Sequence, residues 1–273
     1  MMDQVLLELG IGAVLSTILA LVSVRGRNLT LGGGVGAIVI GTVIYGYGSW
    51  TGYLVLLAFF FSSSFLTKLR YTAKAAKGVS ELKSGARNIW QTIGQGGVAA
   101  IFAGIALLFP LNPALLAAGF VGALAEANAD TWAVELGVLS KRNPRLITKF
   151  SNEVPPGTSG GISRLGESSA VAGSFFIALI AGFLGVLGSA PLFLVTTTAI
   201  AAIVGEHVDS VLGATVQAAY YCPNCQKETE RKIHRCGTPT RHVKGFQIMT
   251  NEAVNFISTA IAAALALTLY LVL

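Results

Sequence analysis

Two pairs of carboxylates interrupt otherwise apolar runs of this sequence: Glu126 and Asp130, four residues apart, and Glu206 and Asp209, three apart. At helical spacing each pair lies on one helix face. A carboxylate at a membrane edge is costly on its own, and a bound Mg²⁺ carrying a nucleotide phosphate would favour its ionised form. Two acidic pairs therefore predict convergence on metal; a proton relay or a structural polar network would use the same residues. Between the pairs runs Val154-Pro155-Pro156-Gly157-Thr158-Ser159-Gly160-Gly161. Its Thr158, Ser159, Gly160 and Gly161 offer backbone amides and hydroxyls to phosphate, with Arg145, Lys149 and Arg164 supplying charge. No Gly-Lys-Ser/Thr closes this loop, so it is not a P-loop; without the nearby acids and bases it would read as a plain turn.

Two further polar stretches stand where apolar runs begin. Ser84 to Gln95 places Asn88, Gln91 and Gln95 on one helical face just after Arg87. Amides entering hydrocarbon must face other helices or a hydrated cavity, and interhelical hydrogen bonding is the alternative to a site. Gly245 to Asn255 carries Thr250 as a cap candidate and Asn251, Glu252 and Asn255 at the start of the last run. Capping accounts for Thr250 and Asn251 but not for Asn255, one turn deeper, which predicts a site-lining role. All three cysteines fall in one polar loop, as Cys222-Pro-Asn-Cys225 and His234-Arg-Cys236. Three thiolates and an imidazole suit a structural tetrahedral Zn²⁺, with His242 as the alternative fourth ligand. Reduced structural cysteines or a redox pair are the other readings. A closed zinc site would order a loop with little apolar content and so place the helix that follows.

The elements that must position these groups are membrane spans. The 273 residues are 53% hydrophobic and 12% charged, with mean hydropathy +0.68, outside the soluble range. Apolar runs at about 4–24, 31–48, 50–67, 92–109, 113–130, 168–188, 191–216 and 250–273 predict an all-α polytopic transmembrane bundle of about eight spans, a single domain over 1–273 with a small Cys/His loop at 217–247. Gly46 to Gly52 reads either as a tight turn between two spans or as a break in one bent helix. The nineteen Lys and Arg residues fall at 25–27, 68–87, 141–164 and 227–244, while the short connections near 48–51, 110–113 and 188–191 carry none. The positive-inside rule then puts the four basic segments and the site in the cytoplasm and both termini outside, in an integral protein of the cell membrane. The same rule accounts for the net charge of +6, and nucleic acid is not an expected partner. Asp3 and Glu8 in place of a basic leader predict a retained first span.

The motifs Gly85-Ala-Arg-Asn, Ala129-Asp130-Thr131-Trp132-Ala133-Val134-Glu135, Pro156-Gly-Thr-Ser-Gly-Gly-Ile, Gly205-Glu-His-Val-Asp-Ser and Asn251-Glu-Ala-Val-Asn together resemble the integral membrane family called domain of unknown function 92. That family includes the phytyl-phosphate kinase of vitamin E biosynthesis. Their order is also similar to that in CDP-diacylglycerol synthases and, more loosely, in dolichol and phytol kinases, although Val154-Pro-Pro-Gly-Thr-Ser replaces the synthases' Ser-Pro-Lys-Thr. The resemblance implies a Mg²⁺-dependent phosphotransferase moving a phosphoryl group from CTP or another nucleoside triphosphate to an isoprenoid monophosphate. Asp130 and Asp209 would hold metal, with Glu206 and Glu126 as further ligands, and Arg87 and Lys149 would clamp phosphate. The 155–161 loop, Asn88, Arg145, Asn251 and Asn255 would line the nucleotide and phosphate site. A cytidylyltransferase releasing pyrophosphate is the enzymatic alternative and an ion-coupled transporter the non-enzymatic one; a second copy of the chain is a candidate partner.

Overall fold

The computed structural model describes residues 2–76, 86–109, 111–188, 191–234 and 236–272. Ser84, Gly85, Pro110 and Arg235, named above within motifs and turns, lie outside the described residues. Among the described residues eight helices make up most of the structure: α1 (Met2–Arg25), α2 (Leu31–Lys68), α3 (Tyr71–Ala76), α4 (Ile89–Leu108), α5 (Pro113–Gly137), α6 (Arg164–Phe183), α7 (Pro191–Thr215) and α8 (Asn251–Val272). Six of them, α1, α2, α4, α6, α7 and α8, are long and apolar enough to cross a membrane. The chain is a polytopic helical membrane protein.

The 38 residues of α2 do not form one rod, because Ser49 sits at φ 47°, ψ −138°. A Cβ placed on Gly41 would lie 3.3 Å from the Tyr53 ring, although twelve residues of straight helix would separate them by about 18 Å. Tyr45 meets Trp50 and Tyr53 edge-on, with ring centroids 5.4 and 5.5 Å apart. The helix therefore folds back on itself at Ser49, and its halves are the two runs counted separately in the sequence. The other run missing from the six is α5, whose apolar stretch is diluted by Glu126, Asn128 and Asp130. Leu116 through Thr131 of this helix are all buried, with neighbours on every side. Asn128 ties it to α2 and α6, accepting from Ser62 Oγ (2.9 Å) and donating to the Gly173 carbonyl (2.8 Å).

Successive passes bring the ends bearing the basic segments to one side. Thr30 N donates to Arg87 O (3.0 Å), Arg87 N to Asn28 O (2.9 Å) and Lys68 Nζ to Gly26 O (3.1 Å), joining the first two basic segments directly. The longer polar connections on this side fold as small antiparallel sheets, which the all-helical expectation did not include. One has order β2-β1-β3, from β1 (Arg145–Leu146), β2 (Lys149–Glu153) and β3 (Gly161–Ile162). The other has order β5-β4-β6, from β4 (Ala219–Cys222), β5 (Lys227–Thr229) and β6 (Arg241–Lys244).

Candidate functional site: a carboxylate cleft at the basic end

Small residues let the four functional segments approach. Gly205 on α7 lies so close to α5 and α8 that an added Cβ would stand 2.8 Å from Glu126 Cγ and 2.7 Å from Ala262 Cβ. This contact brings the two acidic pairs into one layer. The 154–161 loop is held from both sides: Ile147 N donates to Gly160 O (2.9 Å) and Val154 N to Pro144 O (3.0 Å). Its tip rests on α7, where a Cβ on Gly213 would meet Ser159 Oγ at 2.5 Å. Gly160, at φ +76°, similarly abuts Ala214.

The result is a cleft lined by Asp130, Glu206, Asp209, Ser210 and the run Pro156 to Ser163, and so by Gly157, Thr158, Ser159, Gly160 and Gly161. Glu126 lies one turn deeper on α5, fully buried. Asp209 accepts from Ser258 Oγ at 3.1 Å. The Asn255 amide, turned so that its nitrogen faces the acid, donates to the same oxygen at 3.2 Å. Two other carboxylate oxygens, Glu126 Oε1 and Glu206 Oε2, are buried and find no hydrogen-bond donor among the described residues. The nitrogen nearest the latter, His207 Nδ1 at 3.2 Å, is engaged with Ile203 O at 2.8 Å. Buried oxygens without donors are expensive, and a cation would satisfy them.

A second cleft shares Asp130 and is lined by Arg87, Gln91, Gln95, Asn251 and Asn255. Burial pulls the Arg87 guanidinium below its usual pKa, while Glu135 and Asp130 hold it up; an arginine stays charged under such opposition. Three sequence expectations need correction or relocation. Asn88 does not present its amide to the site: it is the N-cap of α4, in a reciprocal capping box with Gln91 (both hydrogen bonds 3.0 Å). Lys149 lines neither cleft, because it begins β2 just beyond the β1–β2 hairpin turn, on a fully exposed strand. Arg145 is tied to Phe150 O (2.9 Å) and Glu153 (3.4 Å) and lines an outer groove with Arg142 and Arg164.

Several residues of the site were not singled out in the sequence. Glu167, at the start of α6, lines the first cleft and holds His207 Nε2 at 3.0 Å. Glu135 lines the second and pairs with Lys74 at 2.6 Å. Glu230, just past β5, reaches the second cleft from the cysteine loop and accepts from Gln217 Nε2 at 2.8 Å. The acid three residues after Arg164 was a visible signal; the pairings of Lys74 and Glu230 across the fold had none.

In the cysteine loop the ligand atoms of Cys222, Cys225, His234 and Cys236 all lie within 4.8 Å of one another. His242 is outside this group and packs edge-on against Tyr220. The Thr238 hydroxyl and His234 bring the Cys236 thiol down to about 5, whereas the adjoining Cys236 and Cys222 push Cys225 up to about 11. One thiolate beside further sulfurs and an imidazole is a donor set that fits zinc.

Helices that cross a membrane and gather their carboxylates and amides at one basic end define a polytopic integral membrane protein with a buried polar cleft. The chain belongs to the family described as integral membrane protein DUF92, whose match spans residues 14–263. It is 30% identical to Protein PGR of Arabidopsis thaliana, over 92% of each chain. An uncharacterized membrane protein of Synechocystis is 31% identical, over 92% of this chain and 87% of its own. Protein VTE6, chloroplastic, of Arabidopsis thaliana is 28% identical, over 88% of this chain and 65% of its own. No solved structure matches.

Proposed function

We propose that the protein is a Mg²⁺-dependent phosphotransferase that moves the γ-phosphoryl group of CTP, or of another nucleoside triphosphate, onto an isoprenoid monophosphate at the cytoplasmic face. The observation that carries this reading is the meeting of Asp130, Glu206 and Asp209 with the Gly157–Gly161 loop in one cleft, with a carboxylate oxygen of Glu206 there and one of Glu126 a turn deeper both buried without donors among the described residues. The family resemblance supplies the substrate class.

Asp130 and Asp209 would hold Mg²⁺, with Glu206 and Glu126 completing the oxygen set; bound there, the ion would neutralise charge on the phosphate oxygens. Asn255 and Ser258 orient Asp209. The Gly157–Gly161 loop, with its amides and hydroxyls, is the nucleotide-phosphate cradle. Arg87, flanked by Gln91 and Asn251 in the adjoining cleft, takes the acceptor's phosphate. An oxygen of that phosphate bonds to the γ-phosphorus, the bond to the β-phosphate oxygen breaks, and the nucleoside diphosphate leaves. Positioning and charge neutralisation supply most of the rate in such transfers. Zn²⁺ at Cys222, Cys225, His234 and Cys236 would fix the loop that delivers Glu230 to the second cleft.

The test is purified protein in lipid with Mg²⁺, each labelled nucleoside triphosphate in turn, and a panel of prenyl alcohols and prenyl monophosphates. Label from the γ-position in a prenyl diphosphate supports the reading. Label from the α-position in lipid would replace it by nucleotidyl transfer, and no label from either would reject it. Full activity in Asp130→Asn and Asp209→Asn would overturn the metal assignment.

A further inference from the structure

A narrow apolar cavity lies beside the second cleft, inside the membrane body. Its walls come from α1, both halves of α2 and α4, with Leu19, Ile40, Gly41, Leu56 and Phe59 among them and the Tyr53 ring near its floor. Arg87 and Gln95 line this cavity and also the polar cleft that contains Asp130. The guanidinium therefore stands at a junction, with the Phe59 ring 5.9 Å from its carbon on one side and the carboxylates on the other. The main chain at Arg87 is pinned there by Asn28 and Thr30, so the side chain carrying the charge is rooted at the top of the cavity. Gly33 packs against the Arg87 carbonyl, and Gly41 lies two helical turns further into the membrane, giving a depth of about 12 Å. At the inner end Tyr53 hydrogen-bonds Ser16 Oγ (3.2 Å), which closes the cavity with a polar pair already satisfied.

Resting on the phosphotransferase reading, we infer that this cavity, about 50 Å³ in volume, receives the start of the acceptor's isoprene chain, with the phosphate on Arg87 and the chain continuing between α1, α2 and α4. The chemistry of the wall selects the occupant. An apolar chain gains by leaving water, and between Arg87 and Gln95 above and the Tyr53–Ser16 pair below the side chains of the wall are carbon but for Thr92, whose hydroxyl is held by Asn88 O. A monoanionic or dianionic head meets a fixed cation and the amides of Gln91, Gln95 and Asn251. A prenyl alcohol lacks the charge, and inorganic phosphate lacks the chain. Asp130, shared between the clefts, then stands beside the acceptor phosphate, on the side from which the donor must come.

The experiment uses the full chain in lipid and a prenyl monophosphate carrying a diazirine on its second isoprene unit, without nucleotide. Photolabel is expected within residues 37–41, 53–60 and 92–96, competed by geranylgeranyl monophosphate but not by geranylgeraniol or inorganic phosphate. Arg87→Gln should lower that labelling about tenfold, as expected for loss of a charge-assisted contact. Ala37→Leu, narrowing the cavity, should reduce labelling in these segments while Arg87 is retained. Label confined to the outer, lipid-facing surfaces of the helices, or unchanged in Arg87→Gln, would overturn the inference. The two readings fail separately: cavity labelling without transfer from any nucleotide rejects the phosphotransferase and keeps the lipid site, and transfer with label elsewhere does the reverse.

Discussion

The buried ion pair between Lys74 and Glu135 gives a quantitative test of how the basic end is held together. Lys74 sits on the short α3, its Nζ 2.6 Å from Glu135 Oε2, with the two side chains only 5% and 14% exposed. The same nitrogen donates to Leu66 O at 2.5 Å, at the end of α2. At an effective dielectric of about 20 the Coulomb attraction at this distance is roughly 6 kcal/mol. Desolvating two ions costs several kcal/mol each, so the pair as a whole comes close to breaking even. Removing one member is different, because it strands a charge in the interior at a cost of about 3–5 kcal/mol. Lys74→Met should fall at the lower end, since Arg87 is near enough to act on Glu135. Glu135→Leu should fall at the upper end, leaving Lys74 with a carbonyl alone. The double substitution should recover most of the loss. Thermal unfolding of the four proteins in one detergent reads this directly, each single variant melting about 10 °C lower than the parent. Single variants within about 1 kcal/mol of the parent, or a double variant whose loss is the sum of the two, would refute the assignment of a buried, coupled pair.

Gly213→Ala should push the Ser159 loop off α7, since the new Cβ would stand 2.5 Å from Ser159 Oγ; transfer activity should fall steeply with a melting change equivalent to about 1–3 kcal/mol. Unchanged kinetics would show that the loop has no part in turnover. Cys222→Ser should abolish bound zinc measured by elemental analysis of the purified protein, and chelation of the parent should lower its melting temperature to that of the variant. Ser49→Gly should stabilise by about 1 kcal/mol, because the turn's positive φ suits glycine. This gain should appear as a raised melting temperature despite loss of the 3.4 Å bond from Ser49 to Glu8.

The membrane body was readable in the sequence because each span is a long apolar run ended by bases or turn residues. Even the reversal inside α2 was visible as Gly46 to Gly52, although composition could not choose between a turn and a bend. The shared cleft of Asp130, Glu206 and Asp209, with Glu126 a turn deeper, agrees with spacing and with placing both pairs at the same membrane face. The small sheets were not readable: β1 and β3 are two residues each, and β2 is exposed throughout, its one apolar residue Phe150 included, too short or too uniform for any period of burial to show. Asn88 was misread even though Asn followed three residues later by Gln is a capping signature. Polar residues at a span entrance invite a site-lining interpretation, and here the backbone's own unsatisfied amides claimed the side chain first. The pairs Lys74–Glu135 and Glu167–His207 join segments distant in sequence, so packing alone discloses them.

The enclosure of α5 also bears on how the protein is made. A helix whose every face is covered, and whose middle carries two acids and an asparagine, is a poor candidate to enter a bilayer by itself. It follows α4 after a turn of few residues, capped by Asn112, whose side chain accepts from Ala114 N at 3.0 Å. Entry as a hairpin, with the apolar α4 supplying the favourable transfer energy, is the route this arrangement favours. The central strut of the finished bundle is thus a segment that depends on its neighbours from the moment of synthesis.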